Sequence, residues 1–201
     1  QLGGSGLSFR AAGIGDLGAT EYTLATVAVD LTSSTAGFED DLLEMTRRSV
    51  ASCTRCPRAD NLLVRVVTFS SATGVVEVHG FRPQADCKPE SYGPFRPYGM
   101  TNLYDAVVNA VDATTTYGKD LIDNDFQVNG IVTVVTDGWE NASSATLADV
   151  RRAIEDSRRK EKLESLLTIL VGVNAAEAGA ELAAFQVGAG LDKYLDAGDA
   201  T

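Results

Sequence analysis

Apolar residues fall along this chain in two alternating patterns: short unbroken runs, and longer segments in which they recur at every third or fourth position. The runs "EYTLATVAVD" (21–30), "NLLVRVVTFS" (61–70), "NGIVTVVTDG" (129–138) and "LLTILVGVN" (166–174) are rich in Val, Ile and Thr. They predict strands buried on both faces, as in a parallel sheet. Helical spacing fills the intervals. Phe38, Leu42, Met45, Ser49 and Cys53 share one stripe, Leu103, Val107, Ala110, Val111 and Thr114 a second, and Leu147, Val150 and Ile154 a third. Acidic residues open the first of these helices and Arg47 and Arg48 come later, as the helix dipole favours. Pro57 ends it. A weak helix over 175–187 and a short last strand over 192–197 complete the set.

The run "GVVEVHG" (74–80) follows the second strand across a tight turn, so the two predict an antiparallel hairpin. Residues 81–100 hold four of the five prolines and read as a long loop. Residues 1–20, with six glycines in the first eighteen positions, read as a loosely docked arm before a domain spanning 21–201. Strands alternating with helices predict an open, mostly parallel α/β sheet with helices on both faces and one antiparallel edge strand. Such sheets bind ligands outside the carboxyl ends of their strands.

Three of those strand ends carry oxygen. Asp30, Thr32 and Ser34 alternate as the chain leaves the first strand, so their side chains point the same way. Thr101 closes the proline-rich loop, and Asp137 follows "IVTVVT". Two carboxylates and three hydroxyls, without Cys or His, suit a hard divalent ion such as Mg²⁺, or Mn²⁺. On their own, Asp30, Thr32 and Ser34 also fit a turn that caps the helix near Phe38.

Taken together the residues resemble the metal-ion-dependent adhesion site (MIDAS) of von Willebrand factor type A domains. Asp30-x-Thr32-x-Ser34, then Thr101 in "YGMTNLYDAV", then Asp137 in "VVTDGWEN" follow that motif in order, and the resemblance runs from about Glu21 to Asp196. It implies a six-stranded Rossmann-like sheet and a protein-binding module in which a partner's Asp or Glu completes the shell of a bound Mg²⁺, Mn²⁺ or Ca²⁺. Within that pattern Thr32 and Ser34 touch the metal, Thr101 does so directly or through water, and Asp30 and Asp137 act largely through water. The family adds a final helix that is expected to be missing here, because the sequence stops at Thr201. In "RVVTFS", "LYDAV" and "VNGIVTVVTDG" the texture is closer to intracellular bacterial and phage-associated members. Trp139, with Tyr98 and Phe95, is expected to form an apolar rim around the ion.

Composition narrows the partners. The chain has 201 residues, 44% hydrophobic and 22% charged, with a net charge of −11. That is an ordinary globular balance with a surface that repels phosphate backbones and anionic lipids, so neither nucleic acid nor membrane is expected as a partner. No signal peptide is in view, the chain opens at Gln1, and the expected location is cytoplasmic. Without a secretory signal the sequon at Asn141 reads as accidental.

Other motifs weigh less. "GIGDLG" (13–18) spells a dinucleotide fingerprint but runs into a strand, where the fingerprint needs a helix. Cys53, Cys56, Cys87 and His79 supply zinc-type ligands, or a Cys56–Cys87 disulfide, though Cys53 sits on its helix's apolar stripe. A Mg²⁺ phosphatase also places Asp after its first strand, but needs a second Asp as general acid where this chain has Thr32. No catalysis is therefore expected. A structural domain with a vestigial site is the remaining alternative.

Overall fold

A computed structural model describes residues 8–55, 59–158, 162–175 and 177–198. It contains six strands and four α-helices: β1 (Glu21–Asp30), α1 (Glu39–Ser52), β2 (Leu62–Ser70), β3 (Gly74–Pro83), α2 (Leu103–Ile122), β4 (Gln127–Thr136), α3 (Leu147–Ser157), β5 (Ser165–Gly172), α4 (Gly179–Ala189) and β6 (Lys193–Asp196). The sheet order is β3-β2-β1-β4-β5-β6. Every pairing is parallel except β2 with β3, so the antiparallel strand lies at one edge. This is the open α/β sheet that the alternation of runs predicts. The chain's direction reverses at β1, whose carboxyl end lies between those of β2 and β4.

The two sheet faces are covered unequally. Leu24, Ala28, Val128, Val132 and Leu170 pack under α2, α3 and α4 in one large apolar cluster. A smaller cluster joins Val29, Val64 and Val66 to Leu42, Leu43 and Val50 of α1 and to Tyr92 and Phe95 of the long loop. Between α1 and β5 an apolar trough of about 480 Å³ is lined by Ala25, Val27, Met45, Ile131, Val135 and Val171. Burial along β1 and β5 alternates accordingly, where the unbroken apolar runs predict cover on both faces. Apolar runs register hydrophobicity but not whether a helix lies above them. The inward stripe of α1 is likewise Leu42, Leu43, Thr46 and Val50; Ser49 is exposed.

Two stretches depart further from expectation. First, residues 8–19 are not a loosely docked arm. Phe9 is fully buried edge-on against Phe81, and the amide of Phe81 donates to Arg10 O at 2.8 Å. A Cβ on Gly80 would lie 2.1 Å from that same carbonyl, so only glycine lets the segment close on β3. Glu77 adds an ion pair from each side, to Arg10 at 3.1 Å and to the buried Arg65 at 2.9 Å. Six glycines masked one aromatic anchor.

Second, α2 continues eight residues past Thr114, to Ile122. The "TTTYG" run is a poor helix sequence, but Thr114 and Thr115 donate back to Ala110 O and Val111 O at 2.8 and 2.7 Å. Tyr117 stacks on Phe81, and Gly118 lets Leu163 approach to where a Cβ would lie, 2.3 Å away. Tertiary burial, at about 1.5–3 kcal/mol for a large apolar side chain, overrides weak propensity here. α3 ends at Ser157, one turn past the Leu147, Val150 and Ile154 stripe.

Pro57 and Cys56 lie outside the described residues. β6 ends at Asp196, and the final helix that the resemblance adds falls outside the described residues, which end at 198. Glycines 13–18 bracket a short 3₁₀ turn at Ile14–Asp16 that leads into β1, so the helix a dinucleotide fingerprint requires is not there.

Candidate metal centre

Parallel register brings the site together before any side chain is considered. Val29 of β1 pairs with Val135 of β4, which sets Asp30 beside Thr136 as both strands end. Asp30 is fully buried there. Its Oδ2 accepts from Thr136 Oγ1 at 2.6 Å and its Oδ1 from the amide of Thr32 at 2.9 Å. Beyond it the chain makes a 3₁₀ turn at Ser33–Thr35, and Thr35 Oγ1 donates to Thr32 O at 2.9 Å. That turn holds Thr32 and Ser34 on one side.

The hydroxyls then run in a chain. Thr32 Oγ1 and Ser34 Oγ are 2.9 Å apart, and Ser34 Oγ donates to Asp137 Oδ1 at 2.9 Å. Thr101 Oγ1 lies 3.4 Å from Thr32 Oγ1. All five predicted ligand residues therefore converge at the carboxyl ends of β1 and β4 and the start of α2. A Cβ built on Gly138 would lie 3.7 Å from Ser34 Oγ and 3.8 Å from Thr101 Oγ1, so the glycine leaves the mouth of the cluster open.

Neighbouring loops fix these positions. Ser33 N donates to Gly99 O at 2.9 Å, Gly99 N to Ser33 Oγ at 3.1 Å, and Tyr98 N to Leu31 O at 2.9 Å. Gly99 has φ +93°, and a Cβ there would meet Ala72 at 2.9 Å, so the turn that delivers Thr101 requires glycine. Asn141 Oδ1 accepts from Thr101 N at 2.8 Å. Glu140 accepts from Tyr104 N, Ala142 N and both N and Oγ of Ser143, stitching the loop after β4 to the first turn of α2.

The electrostatics favour a cation. Burial raises the Asp30 carboxyl to about 6 despite its hydrogen bonds from Thr136 and Thr32; the nearby Asp137 pushes the same way. Burial raises Asp137 too, against the lowering effect of Ser34. Two carboxylates that resist ionisation close together, next to oxygens with no cation among them, want a positive charge.

The donor set fits a hard divalent ion. The hydroxyls of Thr32, Ser34 and Thr101 and the Asp137 carboxylate lie within contact of one another, a set of hard oxygens of the kind Mg²⁺ takes. Thr32, Ser34 and Thr101 would offer hydroxyls, with Asp30 and Asp137 supplying the charge. Asn102, next in the chain after Thr101, has a buried Oδ1 with no hydrogen-bond partner among the described residues. Among the described residues no group of three or more His, Cys, Asp or Glu is placed to hold a metal, and this hydroxyl-rich set contains only two carboxylates.

The expected rim is corrected in part. Tyr98 and Trp139 are exposed, 72% and 51%, and Met100 joins them at 53%. Phe95, however, is buried with Leu43 and Tyr92 in the α1 cluster, where it pins the long loop. It does not reach the rim. The same loop is held at Arg47, whose guanidinium donates to Pro89 O at 3.1 Å and also to Tyr92 O.

From sequence, Thr136, Glu140 and Met100 are unmarked, and Asn141 is marked only as a sequon. Thr136 had a signal, since pairing β1 with β4 in parallel register sets it opposite Asp30. The others belong to loops whose paths the pattern does not encode. Cys53, Cys87 and His79 lie elsewhere, around Tyr92 and the α1 cluster. His79 Nδ1 donates to Gly80 O at 2.9 Å and Nε2 accepts from Tyr92 OH at 2.6 Å, which occupies the lone pair a metal would need. Burial raises the Cys87 thiol to about 11, keeping it protonated.

A scan against protein-family models matches none, and a search of curated proteins finds no relative. Solved structures with the same fold are found. The pilus adhesin SpaC of Lactobacillus rhamnosus GG superposes with TM-score 0.64 at 13% identity, over 90% of this chain and 28% of the adhesin. Proximal thread matrix protein 1 of the mussel byssus gives 0.64 at 17% identity, over 89% of this chain and 44% of that protein. Another structure of the byssus protein, with a zinc-occupied MIDAS motif, gives 0.59 at 18% identity over 90% and 42%. The chain thus spans well under two thirds of the proteins it resembles. These likenesses fit a von Willebrand factor type A-like fold.

Proposed function

We propose that this chain is a divalent-metal-dependent protein-interaction module that binds an Asp or Glu of a protein partner through an ion held by Asp30, Thr32, Ser34, Thr101 and Asp137. The observation that carries the reading is the continuous run of oxygen contacts from Thr101 through Thr32 and Ser34 to Asp137, with Asp30 buried behind it. An ion on three neutral hydroxyls and two carboxylates stays electrophilic. An outside carboxylate is the ligand it lacks, and it gives this acidic surface an acidic partner. The byssus neighbour with zinc in its MIDAS motif supports metal binding at this place in the fold. Mg²⁺ is the proposed ion, on the donor chemistry, with Mn²⁺ and Ca²⁺ as alternatives.

A binding role is favoured over catalysis. A nucleophilic Asp must reach substrate, but both oxygens of Asp30 are engaged, by Thr136 and Thr32, and the side chain is sealed. His79, tied to Tyr92 among the edge-strand contacts, is no base for this site.

Affinity capture from native lysate, with Mg²⁺ or with EDTA, tests the proposal when wild type is compared with Thr101→Ala. Thr101 Oγ1 makes only a 3.4 Å contact to Thr32, so its removal is expected to cost under about 1 kcal/mol of stability. Partners held by wild type in Mg²⁺ are expected to disappear both in EDTA and with Thr101→Ala. An identical partner set in all four samples would contradict the reading.

A further inference from the structure

Beside the metal centre is a second recess. Leu103, Tyr104, Trp139, Glu140, Glu181, Leu182 and Phe185 line a cleft of about 290 Å³ between the first turn of α2, the loop after β4 and the start of α4. Leu103 and Trp139 each stand two residues along the chain from a ligand residue, Thr101 and Asp137. Two residues span at most about 7 Å, so a short peptide seated at the ion also reaches the cleft.

The walls of the cleft are selective. Leu103, Leu182 and Phe185 are buried and make an apolar floor, and Tyr104 stacks on Phe185 with centroids 5.0 Å apart. Trp139 stands half-exposed at the side. Two carboxylates line the same recess. Glu140 accepts backbone and hydroxyl donors only, and Glu181 is exposed; neither forms an ion pair among the described residues. The sequence supplies no local cation either, with no Lys or Arg in residues 97–118, 137–150 or 163–192.

From this charge complementarity we propose that the cleft seats a Lys or Arg of the partner, a few residues from the carboxylate that meets the metal. The inference rests on the metal-dependent reading above and names the partner's chemistry within it. The aliphatic stem of such a side chain lies along Leu103, Leu182 and Phe185 while its cationic end faces Trp139, Glu140 and Glu181. Long basic side chains cover apolar surface in this way, and a cation over an indole face gains further attraction. A Leu or Phe in the cleft would leave both carboxylates facing an apolar group, at a desolvation cost. The recognised partner is therefore a segment with one acidic and one basic residue.

A random-peptide phage library panned on the wild-type chain in Mg²⁺ and eluted with EDTA tests this. The expected eluate carries an acidic residue with Lys or Arg at a constant spacing. For the best synthetic peptide, Glu181→Lys and Trp139→Ala are each expected to weaken binding about tenfold, and replacing the peptide's basic residue by Ala to have little further effect in Glu181→Lys. Both substitutions are at exposed positions, and circular dichroism checks that the fold is kept. EDTA-eluted acidic peptides with no basic bias, or full affinity in both variants, would overturn the cleft assignment and leave the metal site standing. Peptides that resist EDTA, or no enriched peptide, would overturn it along with the reading on which it rests.

Discussion

Asp30→Ala is expected to weaken Mg²⁺ binding by at least about 100-fold, at the upper end of what removing a supporting group around a metal costs, while leaving the metal-free fold nearly as stable. The second half of that statement follows from two opposing effects. Alanine leaves the amide of Thr32 and the hydroxyl of Thr136 without their acceptor, at a cost of about 2–4 kcal/mol for two buried donors. It also removes a carboxylate whose burial raises it to about 6, which relieves up to about 3 kcal/mol at neutral pH. The two nearly cancel. Urea denaturation in EDTA should place the variant within about 1–2 kcal/mol of wild type, and Mg²⁺ titration by calorimetry should give no heat. A variant that still binds Mg²⁺ with wild-type affinity would remove Asp30 from the site.

The stabilisation that Mg²⁺ confers is expected to grow as pH rises from about 4 to above 6. Asp30 unfolded titrates at its ordinary 3.8 and folded at about 6. Between those values the native state holds more protons than the unfolded chain, so metal-free stability falls as pH rises, by up to about 3 kcal/mol, and levels off above about 6. Asp137, raised by burial, acts in the same direction. A divalent ion reverses this, because it binds the ionised carboxylates and releases their protons. Its contribution follows the ratio of free metal to Kd. Thermal melts with Mg²⁺ and with EDTA should therefore diverge little at a pH of about 4 and widely at about 7.5. Asp30→Asn should flatten the metal-free curve. Equal Mg²⁺ shifts at both ends of the range would contradict a site built on these two carboxylates.

Much of this architecture is legible because the sheet's chemistry is local. The central strands β1, β2 and β4 are rich in β-branched residues, and β1 begins and ends where "EYTLATVAVD" does. The five ligand residues were legible because strand ends in an open α/β sheet are forced to one side, so oxygen-bearing residues just beyond them converge. What escaped depends on distant partners. The length of α2 depends on Phe81 and Leu163 packing against a poor helix sequence. The docking of residues 8–12 depends on one buried Phe9 and on the space left by Gly80. Phe95 and Tyr98 share a loop and differ only in which way the chain turns: one anchors the α1 cluster, the other faces solvent. Thr136 and Asn141 hold ligand residues in place, yet a hydroxyl or amide beside an Asp carries no mark of that role until the register is known.

The most direct measurement is a crystal of this chain soaked in Mn²⁺ and examined for anomalous scattering. One peak is expected among Thr32, Ser34, Thr101 and Asp137, roughly 2.1 Å from the Thr32 and Ser34 hydroxyl oxygens, with a coordination position facing the solvent between Trp139 and Tyr98. A peak elsewhere, or Thr32 and Ser34 still hydrogen-bonded to each other with no scatterer beside them at saturating Mn²⁺, would contradict it.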